Sequence, residues 1–297
     1  MSDTNTLATN FLQALRAKVQ EISGQQLVFF VVGRAGWGKS STVNSLIGEE
    51  KCKVDDNEVA TTEVTEFDFD MNGVKAKIFD TPGLCDGSGN DQKYIREIRK
   101  KIKDPDCMLY VNRLDETRIT DNDRRGIKII SDALGWKIWE TAVIVFTFSN
   151  NVSPSEYNAK LEKRTHLIRQ AIADCIQNTE LAFQIPVVAI DNKNSIRPDG
   201  KEWLAEFFTV VADRVSLKGL VAFLSMLTLT ITERTHLSKQ QKEIIRKKFV
   251  SAVFQNTASA MGIGVVIAGL TNAPIILGFS TAGILGTLVG AWLSKDD

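Results

Sequence analysis

The octet GRAGWGKS at 33–40 fits the pattern GxxxxGK[ST], directly after the apolar run QLVFFVV (26–32) and directly before a helical pattern. Glycines let a backbone wrap closely, so successive N–H groups and the helix N-terminus turn toward an anion. Gly33, Arg34, Ala35, Gly36, Trp37, Gly38, Lys39, Ser40 and Ser41 are therefore the candidate phosphate-binding residues. Lys39 would reach the β- and γ-phosphates, which also makes it a candidate catalytic group. The Ser40 hydroxyl would ligate Mg2+. The competing reading, a glycine-rich turn without ligand, is disfavoured by the strand–loop–helix setting.

A second cluster points to the same chemistry. DTPG (80–83) ends another strand pattern, so Asp80 would hold the metal through water and the Gly83 amide would sense the γ-phosphate. Upstream, VATTEVT (59–65) supplies Thr62, with Thr61 as its competitor, as a metal ligand and catalytic group once its loop closes. Loops that order around a γ-phosphate are a common switch. After Gly83 many GTPases place a glutamine that orients the attacking water, and here Leu84 stands. Hydrolysis is then very slow unless another group enters. Arg113 and Arg118, in YVNRLDETRITDNDRR (110–125), leave a strand end near the nucleotide edge. Each reads either as a surface ion-pair residue or as an arginine finger, worth ~10³–10⁵ in rate.

These residues need a frame. Strand patterns at 26–32, 64–71, 74–80, 107–112, 142–148 and 185–191 alternate with helical patterns near 7–22, 39–48, 91–103, 121–134, 155–178, 201–214 and 217–248. Four of the strands are near-continuous apolar runs, as in parallel strands covered on both faces. The segments 64–71 and 74–80 alternate and meet at Asn72-Gly73, a hairpin signal. The expected fold is α/β: a doubly wound, mostly parallel six-stranded sheet with one antiparallel strand, and ligands at the carboxyl ends. A hairpin followed by DxxG selects the GTPase branch of the P-loop proteins over kinases and large ATPases.

Bulk composition excludes other classes. The 297 residues carry 36 acidic and 36 basic side chains, so no global field points to nucleic acid. Cys52, Cys85, Cys107 and Cys175 lie far apart with no CxxC pair, and are read as reduced thiols. His166 and His236 sit on polar helical stretches and are read as surface residues. The N-terminus lacks an apolar core segment, so no signal peptide is expected.

The base loop departs from the usual pattern. GTPases place Asn-Lys-x-Asp there, whereas VIVFTFSNN (143–151) offers Thr147, Phe148, Ser149 and Asn150. With these residues the chain resembles the Toc import-receptor GTPases of the chloroplast outer envelope, and more broadly the GIMAP and plant avirulence-induced, septin-related GTPases. The resemblance covers roughly residues 10–215 and is densest from Cys107 to Pro154. Toc receptors carry Thr-His-Ala-Gln in this loop and Glu-Asn after a later strand, where this chain has Asp191-Asn192. The resemblance implies that Asp191, with Asn192, reads guanine and that Phe148 stacks on the base. It implies GTP/GDP and Mg2+ as ligands. It also implies a homodimer, or a pair with a related GTPase, through the nucleotide face, with Arg118 reaching the partner's site as a catalytic group or a sensor. The competing role for Asp191 is to cap its own loop.

The tail differs in kind. Residues 250–294 hold no charged side chain, and glycine recurs through them. TNAP (271–274) divides two apolar segments of about 19 residues, each just long enough for a ~30 Å hydrocarbon core at about 1.5 Å per residue. Arg246, Lys247 and Lys248 flank one end and Lys295 the other, which suits a hairpin with both ends cytosolic. A buried soluble hairpin, an oligomer core and a single span are alternatives. The expected organisation is an N-terminal helix (1–24), a Toc/GIMAP-like G domain (25–215), a connecting helix (216–248) and a membrane-anchoring hairpin (249–294). The expected function is a membrane-anchored nucleotide switch, its G domain facing the cytosol, with slow, dimer-coupled GTP hydrolysis. Two alternatives stand beside it: a GTP-stabilised scaffold with negligible turnover, and a membrane-inserting effector triggered by the G domain.

Overall fold

The computed structural model describes residues 26–47, 64–71, 74–80 and 91–216, together with a few positions between 219 and 245. The chain divides into two compact units, and the larger, Val28–Phe69 with Ala76–Ser216, holds the body of the sheet and the candidate site. The expected N-terminal helix (1–24), most of the connecting helix (216–248) and the apolar tail (249–294) lie outside the described residues. Among the described residues, no helix is long and apolar enough to cross a membrane.

Six strands form one sheet: β1 (Leu27–Val32), β2 (Thr65–Met71), β3 (Val74–Asp80), β4 (Cys107–Arg113), β5 (Ala142–Thr147) and β6 (Val187–Ala189). Their spatial order is β2-β3-β1-β4-β5-β6. β1 pairs parallel with β4, β4 with β5, and β5 with β6. β2 and β3 are neighbours joined by two residues, a connection that only an antiparallel pair can use. The apolar runs are central because they must be covered on both faces. β5 is buried along its whole length, and β4 at every residue except Arg113. Helices α1 (Lys39–Ile47), α2 (Asp91–Lys101), α3 (Asp121–Leu134), α4 (Tyr157–Ile176), α5 (Thr179–Gln184) and α6 (Trp203–Arg214) complete the alternation. Tyr110, Trp139, Phe146, Ile168 and Ile172 belong to one continuous core.

Boundaries follow local chemistry. The expected strand 185–191 is three residues long and starts late, at Val187, since Pro186 has no N–H for the ladder and offers only its carbonyl, to Ile144 N at 3.0 Å. The long helical pattern ends at Gln177, which adopts the left-handed conformation (φ 54). Asn178 then starts α5, its side chain accepting from Leu181 N at 3.0 Å. A 3-10 segment, Trp136–Thr141, follows Gly135 (φ 81), directly after the expected helix 121–134 ends.

Candidate nucleotide site

The phosphate loop runs from β1 to α1 across the carboxyl ends of the parallel strands. Gly33 lies hard against β4: a Cβ there would stand 2.3 Å from the Val111 carbonyl oxygen. Gly36 (φ 71) and Gly38 (φ 78) take left-handed turns that L side chains resist. Lys39 is almost buried, and its Nζ donates to the Arg34 carbonyl at 3.1 Å, bridging the loop from within. The first turn of α1 carries Ser40 and Ser41 and no acidic side chain, so no carboxylate of that turn opposes the binding of an anion. Thr42 closes the turn, its Oγ1 donating to the Gly38 carbonyl at 2.8 Å.

Other loop members face sideways into the protein. Arg34 Nη1 meets Asp123 Oδ1 at 3.2 Å and Thr120 Oγ1 at 3.5 Å, and its guanidinium lies 5.1 Å from the Trp37 ring centre. Thr120 and Asp123 form the capping box that starts α3. The phosphate loop is thereby tied to the helix that follows the 114–120 arm. Trp37 is buried, and its carbonyl accepts from Thr147 Oγ1 at 2.8 Å. Thr147 is the first residue of the altered base loop, so one hydroxyl joins the two loops.

Phe148 adopts a left-handed conformation (φ 54), costly for an aromatic residue. Arg113 lies over its ring, with the guanidinium carbon 4.0 Å from the centroid. Asp115 grips the same guanidinium from Nε at 2.9 Å and Nη2 at 2.6 Å, and also accepts from Asn151 Nδ2 at 2.8 Å. These bonds hold the Asp115 carboxyl below its ordinary range although desolvation, the largest single influence, opposes them. Arg113 thus belongs to an ion pair that backs the Phe148 ring. Ser149 is buried and donates to the Ile190 carbonyl at 3.0 Å, and Asn150 is exposed.

Asp191 is 2% exposed. Its Oδ1 accepts from Lys193 N at 2.9 Å and Asn194 N at 3.2 Å, and its Oδ2 accepts from Asn194 Nδ2 at 2.8 Å. In this conformation the carboxylate shapes its own loop. Asn192 turns to the phosphate loop: Oδ1 accepts from Ser45 Oγ at 3.1 Å, and Nδ2 donates to Thr42 Oγ1 at 3.3 Å. A Cβ on Gly38 would lie 3.4 Å from Asn192 Nδ2 and 3.7 Å from Phe148 Cε2, so both base-loop residues crowd the phosphate loop.

The arm that carries Arg118 is fixed from inside. Leu114 N donates to the Thr147 carbonyl at 3.0 Å. Arg164 of α4, 2% exposed, donates from Nη2 to Asn112 Oδ1 at 3.0 Å and from Nη1 to the Arg118 carbonyl at 2.5 Å. The Arg118 side chain itself is exposed and meets no partner among the described residues. Arg164 gave no signal as a charged residue on a helical pattern, whereas TDND (120–123) did carry the spacing of a capping box.

Thr62 and Gly83 lie outside the described residues, as do Thr61, Leu84 and the side chain of Asp80. The backbone places Asp80 at the end of β3, beside β1, from which the phosphate loop departs. The Ser40 hydroxyl and a carboxylate at that strand end are hard oxygen donors, the set that suits Mg2+. Of the four cysteines, Cys107 and Cys175 are free thiols, and Cys52 and Cys85 lie outside the described residues. His166 is exposed with its ring edge-on to Phe183, and His236 lies outside.

The model of the AIG1 family matches residues 27–248. The chain belongs to the AIG1 family. It is 32% identical over 232 residues to translocase of chloroplast 34 from Arabidopsis thaliana, covering 70% of this chain and 74% of that protein. Of the larger chloroplast translocases it also matches, it spans 15–20% of the length. Toc33 from Arabidopsis thaliana bound to GDP and Mg2+ superposes with a TM-score of 0.57 at 26% identity, covering 69% of this chain and 90% of that one. A dimerisation-deficient arginine-to-alanine mutant of Toc33 gives 0.59 at 25% identity, with coverages of 69% and 90%. A third structure is described with the statement that dimerisation is important for the GTPase activity of the translocon components atToc33 and psToc159. It gives 0.56 at 25% identity, with coverages of 67% and 89%. The fold of this chain is Toc-like.

Proposed function

We propose that this Toc-like GTPase is a switch that pairs with a second copy, or with a related GTPase, through its nucleotide face and completes hydrolysis in trans. The chain is a GTPase, and its ligands are GTP or GDP with Mg2+. The observation that carries the pairing is Arg118: an exposed guanidinium without a partner among the described residues, on an arm whose backbone is fixed. A Toc33 arginine-to-alanine mutant that fails to dimerise supports the same role.

In this reading Lys39 and the N–H groups of 33–41 hold the β- and γ-phosphates. Ser40, Asp80 and Thr62 would hold the metal, which when bound draws charge from the β- and γ-phosphate oxygens. Gly83 reports the γ-phosphate. Phe148 stacks on the base, Asp191 accepts from guanine by exchanging the Asn194 amide for the base, and Asn192 steadies the phosphate loop behind it. Leu84 cannot orient water, so an isolated copy turns over slowly. The tail (249–294) would anchor the switch to a membrane, leaving the G domain in the cytosol. Leu84 also favours a second reading, a GTP-stabilised scaffold with negligible turnover.

The test is GTP turnover per molecule of the full chain against its concentration, with Arg118→Ala beside it. Specific activity rising with concentration, and a flat variant, supports hydrolysis in trans. Negligible turnover at every concentration with GTP still bound selects the scaffold.

A further inference from the structure

We infer that Arg164 is the positioning residue that presents Arg118 to the second subunit. The inference rests on the trans role proposed for Arg118, and its test separates the two.

Arg164 is a poor choice for holding a fold together. It is buried among core residues of α4, and burial pulls its guanidinium below the ordinary value while the charge of Asp123 offsets part of that. It makes no ion pair among the described residues, and its Nε has no hydrogen-bond partner. Asn112 Nδ2, on the amide that Arg164 contacts, is also unpartnered. Burying a charge with donors left over is costly, and an apolar side chain fills such a place at lower cost.

What the guanidinium does hold is specific. One nitrogen is fixed to the Asn112 side chain at the end of β4, and the other to the backbone carbonyl of Arg118, six residues on. Asn112 is itself fixed, because its carbonyl accepts from Thr147 Oγ1 at 3.1 Å. The planar fork therefore spans a rigid strand end and the residue whose side chain is meant to project. Pinning the Arg118 carbonyl sets the direction in which its Cβ leaves the arm. Leu114 anchors the start of the arm to β5, and the Thr120 cap with Arg34 anchors its end. Arg164 is the support between them. A lysine there keeps the charge but presents a point donor that cannot hold two acceptors in one plane. Displacing a reacting group by about 1 Å costs roughly 100-fold in rate.

The experiment compares the full chain with Arg164→Lys, Arg164→Met, Arg118→Ala and the double variant Arg164→Lys/Arg118→Ala. Each is measured for GDP affinity, melting temperature and GTP turnover against protein concentration. The expected result is wild-type GDP affinity and low-concentration turnover in both Arg164 variants. Their concentration-dependent rise should fall by about tenfold or more, and the double variant should match Arg118→Ala alone. A rise retained in Arg164→Lys overturns the inference, as does an additive loss in the double variant. Loss of GDP binding with a lowered melting temperature in both Arg164 variants assigns the residue to the fold and also overturns it. If Arg118→Ala keeps the full rise, the trans reading fails first, and that single variant shows it.

Discussion

The Arg113 guanidinium carbon stands 4.0 Å from the centre of the Phe148 ring, with Asp115 gripping its far edge through two hydrogen bonds. One face of the ring is thus occupied by a cation, so the base stack proposed for Phe148 would use the other. A cation over an aromatic ring contributes about 0.5–1 kcal/mol at partly exposed sites.

Phe148→Gly is expected to weaken GDP binding by about 1–3 kcal/mol, the usual worth of one base–aromatic stack. Because Phe148 is left-handed (φ 54), glycine should keep or raise the melting temperature, whereas Phe148→Ala keeps the backbone strain and loses the same affinity. Titration with fluorescent GDP beside thermal unfolding checks both. Unchanged affinity in the glycine variant would remove Phe148 from the base site.

Two glycines of one loop should respond differently. At Gly33 a Cβ meets a backbone carbonyl at 2.3 Å that no rotamer can move, and at Gly36 nothing lies within 4 Å. Gly33→Ala should cost about 1–3 kcal/mol of stability or more, together with nucleotide binding. Gly36→Ala carries only the left-handed penalty, about 1 kcal/mol. Urea unfolding of both variants checks this, and equal losses would refute the packing account.

Much of the fold was legible because its signals are local. Near-continuous apolar runs marked β1, β4 and β5, and Asn72-Gly73 marked the β2–β3 connection. GRAGWGKS marked the place of the phosphate loop. The side-chain assignments were less legible. Asn192 reaches Ser45 and Thr42 from 147 and 150 residues away, and Arg164 reaches Arg118 from 46 away. No local pattern encodes such contacts. Arg113 was open between an ion pair and a finger, and its pairing with Asp115, two residues on, answers that with a local bond. Strand β6 starts late, at Val187, because Pro186 lacks a donor, a rule outweighed in the sequence by the apolar run around it.

Asp191 offers a change of specificity. If its carboxylate accepts from guanine N1 and N2, Asp191→Asn exchanges one acceptor for a donor. Guanine then faces a mismatch, while xanthine, with a carbonyl at position 2, is matched. The amide keeps an acceptor for Lys193 N and Asn194 N, so the loop should persist. GTP affinity should fall by about tenfold or more, and the XTP-to-GTP preference should rise. Competition binding reads both. An unchanged ratio would confine Asp191 to shaping its loop.

Asp123 joins the phosphate loop to the arm. It is 1% exposed, and its Oδ2 accepts from Thr120 N at 2.7 Å and Thr120 Oγ1 at 2.9 Å. Its Oδ1 accepts from Arg34 at 3.2 Å. Asp123→Ala removes a helix cap worth about 1 kcal/mol and leaves Arg34 without its carboxylate, for a total on the order of 2–4 kcal/mol. Arg34 is partly exposed, so water can repair part of that loss. The useful quantity is therefore the double-mutant cycle with Arg34→Met. Since the two side chains touch, the combined loss should be smaller than the sum by about 0.5–1 kcal/mol. The same coupling should appear in GDP affinity, because Arg34 belongs to the loop that wraps the phosphates. Additive losses in stability and affinity would mean that the α3 cap and the phosphate loop are independent neighbours.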